Sequence, residues 1–330
     1  MKKKKELFNS FALLRGMKQL FLSGIENPIT GMGALLEKIR ENKILVSDGA
    51  WGTLLHQKGL SSDECPESWN LSRPDDVLDV ARSYVEAGAD IILTNSFGGS
   101  PVKLGAYGLD KDVYLINRKA AEISRRAAGD DVLVLGSVGP TGKMVMMGEI
   151  TPEELLDGFQ KQAMGLADGG VDGILVETMS DPDEARLAIR AAKNSTSLDV
   201  ACTFTFEKTR NQEFRTIMGT GIPEYLEMAR DSGVDVIGAN CGNGTSGMIE
   251  IVRQIRQMEP EWPVLIHANA GLPVLRDGKA VFPETPGEMA PLMVELVAAG
   301  ANIVGGCCGT TPEHIRLIAI QVKKTPPQAI

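Results

Sequence analysis

Eight short apolar runs punctuate the chain: Ile44–Ser47, Asp90–Thr94, Val132–Ser137, Asp172–Glu177, Asp199–Phe204, Asp235–Asn240, Pro263–Ala268 and Asn302–Gly306. They are rich in Val, Ile and Leu and barely alternate with polar residues, the pattern of strands buried on both faces. Helical stretches lie between them. Arg73-Pro74-Asp75-Asp76, Thr151-Pro152-Glu153-Glu154 and Thr311-Pro312-Glu313 open three of these. Each puts proline at the first helical position and carboxylates where the helix dipole favours them. Helices end in glycine followed closely by Asp or Asn at Gly88, Gly170, Gly233 and Gly300, each just before a strand.

This alternation predicts an α/β protein, a (β/α)8 TIM barrel. A doubly wound open sheet is the competing architecture, but it is usually built from fewer strands, and eight favour closure. No linker or change in composition divides residues 40–325, so one domain is expected over residues 32–330, with a short N-terminal extension at 1–31.

Composition narrows the partners. The net charge is −9, and residues 1–40 hold eight basic against three acidic residues, so the remainder carries −14. An acidic body argues against nucleic acid, which needs a basic face. No run approaches the roughly eighteen apolar residues of a membrane span. The basic start, Lys2 to Lys5, resembles a signal peptide, but Arg15, Lys18 and Gln19 interrupt its apolar stretch and no small-residue cleavage site follows. It reads as an amphipathic helix on the body or as sequence upstream of a start at Met17 or Met32. Five cysteines, two of them adjacent, do not suit a secreted disulfide framework, and a cytoplasmic protein is expected.

A barrel of this type carries its active site at the C-terminal ends of its strands. The residues there are Asp48, Asn95, Ser137, Glu177, Phe204 or Thr205, Cys241, Asn269 and the pair Cys307-Cys308. Strands six and eight are two apart in a closed barrel, so their three cysteines can converge. Three thiolates at about 2.3 Å describe zinc with its fourth tetrahedral position open. Gly305, Gly306 and Gly309 give the backbone freedom to turn so that adjacent cysteines both bind. The plainer reading of a cysteine is a small buried residue; Cys65 and Cys202 keep it. Three thiolates leave Zn²⁺ with a net charge of −1, a poor activator of water but a site at which an incoming thiol binds as thiolate. Alkyl transfer to a thiol is the chemistry expected. Asp48, with Gly49 and Ala50 in an open turn, can receive a carboxylate, and Glu177 can pair with an ammonium, a combination suited to an amino-acid thiol.

Gly242 to Gly247, GNGTSG, matches the dinucleotide pattern G-x-G-x-x-G between a strand and a helix, but no acid for a ribose follows about twenty residues on. A turn that frees Cys241 explains it better. The histidines, His56, His267 and His314, show no metal-ligand spacing, and His314 reads as a helix-surface residue.

DGAWGT, TNSF after strand two, VET in strand four, GANCG and GGCCGTTPEHI, in that order along the chain, resemble the homocysteine S-methyltransferase family. The resemblance runs from about Asp48 to Ile318, and GGCCGTTPEHI with ANAGLP is most similar to the homocysteine-binding module of cobalamin-dependent methionine synthases. It implies a zinc-dependent barrel with Cys241, Cys307 and Cys308 as ligands. It also implies homocysteine held through Asp48, the Gly49 and Ala50 amides, and Glu177, with Asn95 and Ser137 beside it. Trp51 stands where that module usually has methionine. There is no D-x-H-x-x-G cobalamin motif, so the donor expected is methylcobalamin or another methyl-corrinoid on a separate corrinoid protein. The alternatives are S-methylmethionine or S-adenosylmethionine as donor, and a non-catalytic zinc or corrinoid-docking subunit.

Overall fold

All eight runs form strands of one parallel sheet in the computed structural model, which describes residues 32–42, 44–276 and 279–324. They are β1 (Leu45–Val46), β2 (Ile91–Leu93), β3 (Leu133–Val138), β4 (Gly173–Met179), β5 (Asp199–Phe204), β6 (Val236–Gly244), β7 (Val264–Asn269) and β8 (Ile303–Gly306). Neighbours in the sheet are neighbours in the chain, β8 pairs with β1, and a parallel bridge from Ser47 to Ile91 closes the ring. The expected TIM barrel is the fold found. The expected extension, 1–31, lies outside the described residues.

Each strand is followed by a helix of the outer layer: α1 (Pro74–Glu86), α2 (Val113–Ala128), α3 (Pro152–Asp168), α4 (Pro182–Ser195), α5 (Ile222–Asp231), α6 (Thr245–Met258), α7 (Pro286–Ala298) and α8 (Pro312–Val322). Their apolar faces pack on the outward side chains of the strands, in one cluster that runs from Val46 to Val322.

The glycine–Asp/Asn phrase has a structural purpose at the bottom of the barrel. Gly88, Gly170, Gly233 and Gly300 all have positive φ, which turns the chain from helix into strand. The side chain that follows then accepts a backbone N–H from the preceding strand: Asp90 from Val46, Asp172 from Val134, Asp235 from Val200 and Asn302 from Val264, at 2.7–2.9 Å. Each also meets a basic side chain, respectively Lys323, Arg125, Lys193 and Arg256. The joint therefore repeats on β2, β4, β6 and β8, with the cation from the C-cap of α8 and from within α2, α4 and α6.

A helix before β1, Ala34–Asn42, plugs this end. Its Leu35 and Ile39 join Leu45, Ile91, Leu135, Leu175, Ala201, Val236, Leu265 and Ile303 in the barrel interior, and its Leu36 N–H is received by Asp199 at 3.0 Å. The lower interior is hydrocarbon. Polar chemistry is left to the other end, where side chains two positions further along the same strands point inward.

Candidate active site

Those next inward positions are Ser137, Glu177, Thr203 and His267, with Asn240 on β6, and all are buried. Above them opens a cavity of about 320 Å³, lined among others by Gly49, Ala50, Asn95, Ser137, Glu177 and the three cysteines. That is ample for a small amino acid.

The sequence of β6 does not stop at its regular end. The strand continues through Cys241 to Gly244, with a shift of register against β7 between Asn240 and Gly244. Cys241 itself is left-handed, φ 57°, and so is Gly242, φ 66°. That is uncommon for a residue with a side chain, and it leaves Cys241 on the cavity wall. On β8 the pair follows the strand directly: Cys307 N–H bonds Ala268 O at 2.7 Å, and Cys308 N–H bonds Asn269 Oδ1 at 3.1 Å. Of the three glycines expected to free this turn, only Gly309 has positive φ (82°). Gly305 and Gly306 serve by being small: a Cβ on Gly306 would lie 2.3 Å from Thr310 Oγ1.

Sulfurs bonded at about 2.3 Å to one tetrahedral ion stand about 3.8 Å apart. Cys241 Sγ and Cys308 Sγ are 3.9 Å apart, and all three sulfurs lie within 4.8 Å of one another. Among the described residues this is the one group of three or more His, Cys, Asp or Glu side chains so arranged. The donor set fits zinc. Without metal the cluster shares its protons: Cys241 is held well below the usual thiol range by bonds from the Cys307 and Cys308 thiols, and its charge pushes those two up.

Two carboxyls flank the thiols. Glu177 accepts a hydrogen bond from Ser137 Oγ; burial nevertheless pushes its pKa up to about 7, helped by the charges of Asp48 and Cys241. Asp48 is likewise raised by burial to about 7. It does not line the cavity. Its Oδ2 is engaged by Leu93 N at 2.8 Å and Trp51 Nε1 at 2.7 Å, which fastens β1 to β2 at the seam of the ring.

The homocysteine S-methyltransferase family profile matches residues 45–322. The chain is 34% identical to the methionine synthase of Mycobacterium leprae over 308 residues, 88% of this chain and 25% of that protein. It is also 34% identical to the methionine synthase of Mycobacterium tuberculosis over 302 residues, 86% and 25%. The chain belongs to the homocysteine S-methyltransferase family. It spans about a quarter of the length of those two methionine synthases. The metallated form of the homocysteine methyltransferase MmuM from Escherichia coli shares the fold, with TM-score 0.71 and 22% identity over 86% of this chain and 98% of that one.

In this member of the family, Cys241, Cys307, Cys308, Glu177, Ser137, Asn95, Gly49 and Ala50 meet around one cavity. Asn95 braces the rim, donating to Pro66 O and Asn70 Oδ1 at 2.8 and 3.1 Å. Ala50 N–H is already spent on Thr310 Oγ1, 3.1 Å away. At the end of β5, Phe204 turns outward against Tyr225, and Thr205 bonds Asn240 O, so neither lines the cavity. At the GNGTSG turn a carboxylate stands where a phosphate would have to sit: Thr245 at the start of α6 donates to Glu284, 3.3 Å away.

His314 is not a surface residue. It is buried, its Nδ1 accepts the Thr311 N–H in a capping box, and Nε2 faces Glu284 O at 3.0 Å. Three residues escaped sequence reading. His267 lines the cavity, its Nε2 buried without a hydrogen-bond partner, and burial draws its pKa down to about 4, so it is neutral at pH 7. Thr178, with φ 62°, and Asn240 join the ends of β4 and β6. The period-two pattern on β6 and β7 was the available signal for Asn240 and His267; nothing local marks the backbone of Thr178.

Proposed function

We propose that this barrel holds zinc through Cys241, Cys307 and Cys308 and methylates the sulfur of L-homocysteine to give methionine. The observation that supports this most is the convergence of three thiols within 4.8 Å of one another, one pair of them 3.9 Å apart, on a cavity that also presents a buried carboxyl. Zinc held by three thiolates would supply a fourth position where a thiol loses its proton while its sulfur stays nucleophilic.

The remaining work falls to the chain. Glu177 meets the substrate ammonium, oriented by the Ser137 hydroxyl on its Oε1. Pairing with a cation draws Glu177 back to its ionised form and releases the proton it carries near neutral pH. The turn from Gly49 to Thr53 receives the carboxylate through backbone amides other than that of Ala50, at the start of a short helix that no side chain caps. Asp48 acts behind that turn by holding Trp51 in the cavity wall. The new S–C bond forms as the donor–methyl bond breaks, and the electron pair of that bond leaves with the donor.

We infer a methyl-corrinoid on a separate protein or module as donor. The likeness to methionine synthases supports it. So do the exposed apolar side chains on the loops that follow the strands: Met146 and Met147 after β3, Ile217 after β5, Leu272 and Leu275 after β7. Such residues suit a face that receives a large partner. Methionine formation from homocysteine should be assayed with free methylcobalamin, S-methylmethionine and S-adenosylmethionine. Turnover with methylcobalamin alone is expected. Turnover with a sulfonium alone would replace the corrinoid, and none with any donor would leave a docking subunit.

A further inference from the structure

Asn240 is fully buried at the centre of the site and does not line the cavity. Its Oδ1 accepts from Thr178 N–H at 2.8 Å and from Thr203 Oγ1 at 2.7 Å. Its Nδ2 donates to Thr178 Oγ1 at 2.8 Å and lies 3.9 Å from Cys307 Sγ. The amide can be oriented from its partners alone. A backbone N–H can only donate, so the oxygen must face Thr178, and the nitrogen is left facing Cys307. There the nitrogen can only donate, and the sulfur must accept. Asn240 thus ties the residue beside Glu177 to a sulfur of the cluster, and it directly precedes the left-handed Cys241.

A site built from cysteine sulfurs faces a problem of selectivity. The methyl group can be taken by a protein sulfur instead of the substrate's. The donor–methyl bond would break in the same way, with its electron pair leaving on the donor, and the product would be an inert S-methylcysteine. An N–H bond to sulfur withdraws electron density from the lone pair that would attack. We propose that Asn240 is a positioning residue whose amide N–H on Cys307 Sγ suppresses alkylation of that cysteine and so leaves the methyl group to the substrate. This deepens the methyltransferase reading and rests on it, but its test needs no turnover.

The zinc-loaded full-length protein and its Asn240→Asp variant would be treated with methyl iodide, and S-methylation at Cys307 and Cys308 counted by peptide mass spectrometry. Aspartate keeps acceptors for Thr178 and Thr203 and removes the N–H donor. Cys308, which receives nothing from Asn240, is the internal control. The Cys307-to-Cys308 ratio should rise about fivefold, the worth of one ordinary hydrogen bond. Asn240→Ala, which removes the donor without adding charge, should raise it likewise. In the cobalt-loaded variants the thiolate-to-metal charge-transfer band should move to longer wavelength, which loosened packing alone would not produce. A ratio within twofold of the unaltered protein, or a rise in the aspartate variant alone, overturns the proposal and leaves the methyltransferase reading standing. Absence of a zinc site in the unaltered protein overturns both.

Discussion

Glu177→Gln preserves the size of the side chain and an acceptor for Ser137 Oγ, and removes the charge that an ammonium would meet. A hydrogen bond to a charged group in a buried site is worth about 1.5–3 kcal/mol. The dissociation constant for homocysteine at pH 8 should therefore rise about ten- to 150-fold. The pH dependence is a sharper test. Burial raises the Glu177 pKa to about 7, so below pH 7 the ammonium must expel a proton before it can pair. That handicap grows about tenfold per pH unit in the unaltered protein and is missing from the glutamine variant. The gap between the two affinities should accordingly close from pH 7 to pH 5. Ionisation of the ligand thiol affects both proteins equally and cancels. Calorimetric titration of the zinc-loaded proteins at pH 5, 6, 7 and 8 would measure it. Equal affinities at pH 8, or a gap that stays constant with pH, would refute the pairing.

Asp48 gives a stability prediction of definite sign. Its folded pKa of about 7 lies above the ordinary 3.8, so its contribution is fully present below about pH 4 and is lost as pH rises through 7. The shift is about three units, so it corresponds to at most about 4 kcal/mol. Thermal melts from pH 5 to 8 should show the unaltered protein losing stability relative to Asp48→Asn; parallel curves would contradict this. At the bottom of the barrel, Asp172→Ala strands the Val134 N–H and removes the carboxylate partner of Arg125, whose guanidinium keeps its bonds to the Gly170, Gly129 and Val132 carbonyls. It should cost about 1–3 kcal/mol in urea unfolding without altering homocysteine affinity, and a change in affinity would show that the joint reaches the site.

The barrel was legible because strands buried on both faces cannot alternate, and eight such runs stood out from the helices between them. The cysteines were legible because their spacing from strand ends follows the topology. Their geometry was not. The left-handed backbone at Cys241 and Thr178 flanks a contact in which Asn240 spans two strands distant in sequence. Asp48 stands at the expected strand end, yet both Leu93 and Trp51 claim it, so it builds the wall instead of lining it. His314 shows the same limit: its position in the first turn was readable, but its burial depends on Glu284, thirty residues away. The repeated glycine–Asp/Asn phrase was visible as a pattern, and its purpose emerged only when each side chain met a strand N–H and a cation from another helix.

The central claim is that three thiols make a zinc site which binds a further thiol as thiolate. Metal analysis of the reduced, purified protein, followed by homocysteine titration at pH 8 with proton release recorded, tests it most directly. The account predicts one zinc per chain, lost in Cys241→Ser and Cys308→Ser while the circular dichroism of the barrel persists, and release of about one proton per homocysteine bound. A protein that cannot be loaded with zinc, or that binds homocysteine without releasing a proton, would contradict it.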